Sequence, residues 1–302
     1  EQQLEPSGIM WGSMLSSMAR AGCSSEIPSI LEQLRVQWAG GSQAVWSPLA
    51  LAGQDQVPVV LQAPGVVALC KPSGTTSAEL RDALLAALKA QGYTGDVAMA
   101  SRLDAPASGV IPFALGGAAS GAAQWLQAQF AARRVSKEYL CLCVGDSLGP
   151  VGSRGELDTP LLLSDDRGRR VSPSPLGKSA RTRYQVTEEM SAPGEGGAVM
   201  LLIVHPLTGR THQIRAHLAG IGRPLLGDKV YGGISEVCGV NCPRLFLHCK
   251  KLCMFDLAGA RFEPEAPLPV ELLDVVSSLR RRTQAAHLEG RTEGPVSRAK
   301  KK

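Results

Sequence analysis

The spacing of hydrophobic and polar positions changes several times along this chain, and each change predicts an element. From about Glu26 to Trp38, Ile30, Leu31, Leu34 and Trp38 recur at helical spacing, and Gly40 with Gly41 follows as a stop, which predicts an amphipathic helix. From Val57 the texture turns to short β-rich runs such as Val66 to Cys70, punctuated by Lys71-Pro72-Ser73-Gly74 and followed by a helical stretch from about Ala78 to Leu88. A second helical stretch covers Gly121 to Phe130. A β run from Tyr139 to Val144 then gives way to a polar loop through Asp146 and Ser153. Residues 180–187 alternate as a half-buried strand does, with Thr182, Tyr184 and Val186 on one face and Arg181, Arg183 and Gln185 on the other. Ala198 to Val204 reads as a buried strand and Pro206 to Gly209 as a turn. A helix then opens near Thr211, with Ile214, Leu218 and Ile221 on its apolar side and Arg215 projecting away from it. The largely apolar run Leu245 to Leu257 reads as another strand. Strands interleaved with a few helices predict an α+β sheet protein rather than a bundle, and no repeat of 20 to 50 residues is present.

Composition narrows the class without naming a chemistry. The chain has 302 residues, 44% hydrophobic and 20% charged, enough for one sizeable core or two modest ones and unlike a collagenous or disordered protein. The formal net charge is only +5, but residues 280–302 hold eight Lys or Arg against two Glu, a balance of +6, so everything before them sums to −1. This basic stretch reads as a disordered tail, open to use as a nucleic-acid arm, a targeting element or a solubilising segment. No run of 18 apolar residues is present to span a membrane. Residues 10–25, with one Arg, several Ser and no acid, have the look of an organellar transit segment, so the cytoplasm and an organelle both remain open as locations. The eight cysteines read as reduced thiols. Cys238, Cys242, Cys249 and Cys253 with His248 could be imagined around zinc, but the second pair lies in the strand-like run, and no metal is expected.

Two places could carry reaction chemistry. Arg102-Leu103-Asp104, followed by Ala105-Pro106-Ala107-Ser108-Gly109, is by itself an ordinary turn or capping sequence. Pro206 to His217 is less ordinary, since it gathers two arginines, two histidines and a glutamine around one helix start, a setting that favours an anionic partner over a metal.

Taken in order, these pieces resemble the RluA family of pseudouridine synthases. The resemblance runs through Lys71-Pro72-Ser73-Gly74, Arg102-Leu103-Asp104, Ser108-Gly109, Phe130, Arg134-Val135 and Lys137-Glu138-Tyr139. It continues with Asp158-Thr159-Pro160-Leu161, Gly177-Lys178, the Pro206 to His217 block, Gly222-Arg223-Pro224-Leu225, Gly227-Asp228, Tyr231-Gly232 and Arg244 to His248. It implies an α+β pseudouridine synthase fold, a mixed and mostly antiparallel central sheet flanked by helices and loops around an active-site cleft. It also implies isomerisation of uridine to pseudouridine in structured RNA, ribosomal or transfer, by a monomer without a cofactor.

By the same resemblance Asp104 is the catalytic carboxylate, Tyr139 the ring that stacks on the target base, and Arg215 the cation that keeps Asp104 ionised. Arg102 corresponds to a residue contacting RNA beside the flipped base, although Ser101 stands where many relatives have His. Lys71, Lys137, Arg210 and Gln213 are the further expected RNA contacts, with Arg133 and Arg134 beside them at the phosphates. The catalytic domain is expected over 57–279, between an N-terminal extension, 1–56, and the basic tail, 280–302. An unreactive RNA-binding module of the same fold, or a hydrolase releasing free uracil, are the competing readings.

Overall fold

The structure is a computed structural model that describes residues 8–23, 25–40, 58–163, 170–190 and 198–292. In chain order its elements are α1 (Gly8–Ala21), α2 (Ile27–Gly40), β1 (Val59–Ala63), β2 (Val66–Lys71), α3 (Ser77–Ala90), β3 (Val97–Met99), β4 (Ser108–Leu115), α4 (Gly121–Ala131), β5 (Ser136–Gly145) and β6 (Arg154–Leu157). There follow β7 (Leu161–Leu163), β8 (Val171–Pro173), β9 (Thr182–Met190), β10 (Ala198–Pro206), α5 (Gln213–Gly220), β11 (Glu236–Val237), β12 (Val240–Asn241), β13 (Leu247–Phe255), β14 (Arg261–Phe262) and α6 (Val270–Thr292). The class is α+β with mixed, largely antiparallel strand pairing, as expected. The chain forms two compact units, each assembled from three stretches of sequence.

The first unit comprises Glu1–Tyr139, His205–Thr211 and His248–Pro267. Its strands run β1–β2–β4–β13, with β3 also on β4 and β14 on β13. β2 and β4 are antiparallel, Lys71 opposite Gly109, whereas β13 lies parallel to β4, with His248 opposite Ser108 and Cys249 opposite Gly109. A capping box starts α3: Thr76 Oγ1 accepts the Glu79 N–H while the Glu79 carboxylate accepts the Thr76 N–H. The helix then packs Leu80, Leu84 and Leu88 onto Val67, Leu69, Ile111 and Phe113.

The N-terminal extension expected over 1–56 is helical at α1 and α2. It contains a helix, α1, that the sequence pattern did not show, and both α1 and α2 pack on α4 as part of the first unit, burying Leu15, Ile27, Leu31 and Leu34. The approach is close enough that a Cβ on Gly121 would lie 2.4 Å from the Trp38 carbonyl oxygen. Arg35 Nη1 also donates to the Leu257 carbonyl at 3.2 Å.

The second unit comprises Leu140–Val204, His212–Leu247 and the chain from Leu268. Its core joins Leu142, Met190, Val199, Leu226, Phe246 and the α6 residues Leu272, Val275, Val276 and Leu279. A smaller cluster of Leu161, Val171, Ala180, Ala216 and Tyr231 lies beside α5. The basic tail is corrected as well: α6 continues through Arg280 to Thr292, and Arg280 donates to the Glu188 carboxylate at 2.6–3.0 Å. Residues 293–302, with the terminal lysines, lie outside the described residues. Cys238 and Cys242 are core residues of this unit, Cys249 and Cys253 belong to β13, and no group of three His, Cys, Asp or Glu is placed for a metal among the described residues. Among those residues no helix is long and apolar enough to cross a membrane.

Candidate active site

Asp104 lies in the connection between β3 and β4, and this connection is pinned from both sides. Leu103 packs against the α3 core, and its backbone N–H donates to Ser77 Oγ at 3.0 Å. Behind the carboxylate, Ala107 N–H bonds the Asp104 carbonyl at 3.0 Å, and Ser73 Oγ donates to the Pro106 carbonyl at 2.7 Å. Ala105 O accepts both the Gly74 N–H at 2.8 Å and the Lys71 ammonium at 3.0 Å.

Lys71 therefore corrects an expectation. It is 0% exposed, and its Nζ also donates to Pro72 O at 2.8 Å and Thr75 O at 2.7 Å, so it is no phosphate contact. A buried ammonium needs all of its donors satisfied, and three carbonyls converging on one nitrogen match an NH₃⁺ group. What this lysine does is tie the Lys71-Pro72-Ser73-Gly74 turn to the Asp104 loop.

β4 leaves that loop through Gly109, whose φ of 115° and missing side chain are both required: a Cβ there would lie 2.2 Å from the Cys249 carbonyl oxygen. The close approach is locked by Ser108 Oγ, which donates to His248 Nδ1 at 2.9 Å, while His248 Nε2–H donates to Ala266 O at 3.2 Å. Cys249 on β13 is thereby fixed opposite Gly109. Burial pushes the Tyr139 phenol well above its ordinary value, with the Cys249 and Asp104 charges adding to the push. The Cys249 thiol is pushed up to about 12 by burial, offset in part by the Lys137 ammonium. Asp104 and Tyr139 both belong to the first unit.

The expected RNA contacts divide. Arg102 is exposed beside Asp104, and Arg210 is half-buried in the turn after β10. Lys137 lies with its Nζ 4.9 Å from the centre of the Phe130 ring, and burial pulls its ammonium below the ordinary lysine value. Gln213 is a further correction: it is buried, and its Nε2 donates to Arg181 O and Thr182 Oγ1, both at 2.9 Å, fastening α5 to β9. The same hydroxyl serves His217 Nδ1 at 2.8 Å, and His217 Nε2–H donates to Thr159 O at 2.8 Å, so neither is arranged as a metal ligand. Burial lowers the His217 pKa from its ordinary value.

In the second unit Arg215, expected to project away from the apolar stripe of α5, is only 3% exposed. Its Nε and Nη2 make paired 2.8 Å bonds to Asp228 Oδ2 and Oδ1, a side-on bidentate ion pair. The Asp228 Oδ1 also accepts the backbone N–H groups of Val230 at 3.1 Å and Tyr231 at 3.3 Å. Asp228 stood in the sequence as half of Gly227-Asp228 with no role attached. The pairing joins residues 13 apart across a loop, a distance no helical or strand period reports. Ile221 is exposed, so the apolar stripe of α5 ends at Leu218.

Comparison with known proteins places this architecture. A family model described as RNA pseudouridylate synthase matches residues 65–220, just over half of the chain. The dual-specificity RNA pseudouridine synthase RluA of Haemophilus ducreyi is 33% identical over 193 residues, covering 62% of this chain and 82% of that protein. The chain belongs to the RluA family of pseudouridine synthases. A second relative in sequence, the ribosomal large subunit pseudouridine synthase D of Nitrosomonas europaea, is 30% identical over 245 residues, covering 79% of this chain and 67% of that one. Among solved structures, human RNA pseudouridylate synthase domain containing 4 shares the fold with a TM-score of 0.58 at 23% identity, over 74% of this chain and 93% of that chain. Human RNA pseudouridylate synthase domain containing 1 has a TM-score of 0.56 at 25% identity, over 74% and 94%. As a member of the family the protein is an RNA pseudouridine synthase, an isomerase acting on RNA.

Proposed function

We propose that Asp104 is the carboxylate that works at the ribose, that Tyr139 stacks on the uracil, and that Arg102 contacts RNA beside the extruded nucleotide. The observation that carries this reading is the pinned loop: Lys71, Ser73, Gly74 and Ser77 all bond the backbone around Asp104. Such rigidity suits a group that must meet one atom in one geometry. The isomerisation breaks the bond from ribose C1′ to N1 and makes a bond from C1′ to C5; C5 loses a proton and N1 gains one. A carboxylate able to attack or shield C1′ and a ring that holds the detached uracil are what this chain supplies.

Arg215, which pairs with Asp228, is proposed as a further residue of the catalytic machinery. The RNA taken is proposed to be ribosomal or transfer RNA, the classes named for relatives in this family. The test is to incubate wild type and Asp104→Asn with uridine-containing RNA and to follow pseudouridine, free uracil and RNA binding. Pseudouridine from wild type alone supports the assignment. Product from Asp104→Asn at the wild-type rate removes Asp104 from the mechanism, binding without product points to an unreactive module, and free base points to hydrolysis.

A further inference from the structure

The outer face of the β6–β9 pair carries cations that the isomerisation chemistry leaves without a task. β6 closes the strand order beside β9, and the antiparallel register sets Arg154 opposite Gln185 and Glu156 opposite Arg183. Alternation along the strands puts these four on one face with Arg181, while Thr182 and Val186 turn to the core. Glu156 is shared: Arg181 Nε donates to its Oε1 at 2.6 Å and Arg183 Nε to its Oε2 at 2.7 Å. The Arg183 and Arg181 guanidiniums hold this carboxyl below the ordinary carboxylate range. Even so, the Arg181 and Arg183 side chains remain 47% and 59% exposed, and Arg154 is exposed as well. The backbone beneath them is held firmly. Gly152 N–H donates to Val186 O at 2.8 Å, Val186 N–H donates to Ser153 O at 2.9 Å, and Gln213 ties the Arg181 carbonyl to α5. On the inner face a Cβ on Gly155 would lie 2.3 Å from the Tyr184 hydroxyl, so that side chain lies across the glycine.

We propose that Arg154, Arg181 and Arg183 form a docking site for the phosphodiester backbone of the RNA, apart from the residues that act on the uridine. Two guanidiniums sharing one carboxylate leave one positive charge over, and Arg154 adds a second, so this face favours an anion. A guanidinium offers planar, paired donors that match the oxygens of a phosphate, and Glu156 holds two of them in place beforehand, which lowers the ordering cost of binding. RNA is the polyanion that a member of this family must hold, and contacts to its backbone position it whatever its sequence. Charges on an edge strand also discourage pairing with another sheet, but that task needs charge of either sign and no surplus of one. All of these residues belong to the second unit, and the site stands whether or not Asp104 is the reacting carboxylate.

The experiment measures equilibrium binding of the full chain to bulk transfer RNA over a salt series, with turnover of uridine-containing RNA and sedimentation alongside. The variants are Arg154→Gln, Arg183→Gln, the two combined, and Arg280→Gln. Arg280 makes a one-to-one pair with Glu188 in the same unit and is 48% exposed, so its variant reports loss of a charge without loss of the site. Arg154→Gln and Arg183→Gln are each expected to raise Kd about three- to tenfold at about 0.1 M salt and to flatten the slope of log K against log salt by about one. The combined variant is expected to flatten it by about two. At saturating RNA kcat should match wild type, and melting should change little, because exposed pairs contribute little to stability. An unchanged Kd and slope in both single variants overturns the proposal. An equal loss in Arg280→Gln does so too, by reducing the effect to net charge. Self-association of the variants at unchanged RNA affinity assigns the arginines to guarding the sheet edge instead, and a loss of kcat at unchanged Kd removes the docking role. Should one single variant not fold, the other decides alone.

Discussion

At the scale of single residues, charge type alone misassigned two side chains. Lys71 looks in the sequence like a surface cation beside a turn, yet its ammonium is wholly enclosed by three carbonyls. Its replacement by Met is expected to destabilise the protein by about 2–4 kcal/mol, because the carbonyls lose a charged donor in a buried place. Turnover should fall as well, through the freed Asp104 loop. Urea unfolding measures the first effect. RNA binding across a salt series separates the roles, since loss of a phosphate contact would flatten the dependence of log K on log salt and loss of a structural lysine would not. Gln213 repeats the lesson, because an amide can serve a ligand or a neighbouring strand equally well and only the fold shows Thr182 in front of it.

At the scale of elements, α5 is the case where local pattern and tertiary setting disagree most. Eight residues are too few to hold a helix by propensity. What fastens it is the chain of bonds from Gln213 to Thr182, from Thr182 to His217, and from His217 to the Thr159 carbonyl. That chain requires a neutral His217 accepting at Nδ1. Burial lowers the folded-state pKa below the ordinary value of 6.5, so near and below that value the unfolded chain binds more protons than the folded one. Stability is therefore expected to be at its plateau above about pH 7, to fall as pH drops through about 6.5, and to level once the folded form also protonates. The melting temperature of wild type and His217→Gln between pH 5 and 8 measures this, and an equally steep fall in the variant assigns the slope to other groups.

At the scale of the whole molecule, the N-terminal helices are not an appendage. Leu15, Ile27, Leu31 and Leu34 are buried in the first unit, α1 and α2 pack on α4, and Trp125 on that helix donates to the Asp256 carbonyl at 2.8 Å. Leu31→Ala is expected to cost about 2–4 kcal/mol and to lower the unfolding midpoint of the unit that carries Asp104. Hydrogen exchange along β4 reports on that unit directly; protection of β4 unchanged in the variant would mean that the helices melt apart from it. The Arg280–Glu188 pair on α6 is partly exposed and contributes at most about 1 kcal/mol, so the core leucines and valines before it are what hold that helix.

The amino-acid order by itself determined the local elements: α3 and α4 follow from helical stretches, β9 from a period of 2, and β2, β10 and β13 from short apolar runs, all properties of neighbouring residues. It also carried the family, because short motifs such as Arg102-Leu103-Asp104 and Gly209 to Arg215 keep their order whatever surrounds them. Only the tertiary structure decided which polar groups face each other: Lys71 with Ala105, Arg215 with Asp228, and His212 with Tyr231. Those pairings depend on loop paths and on which face of an element is covered, and neither leaves a period in the sequence. The helix α1 and the continuation of α6 past Arg280 were hidden for a related reason, since one lies in a stretch without a clean apolar stripe and the other in a run of charge that its neighbours turned into a helix.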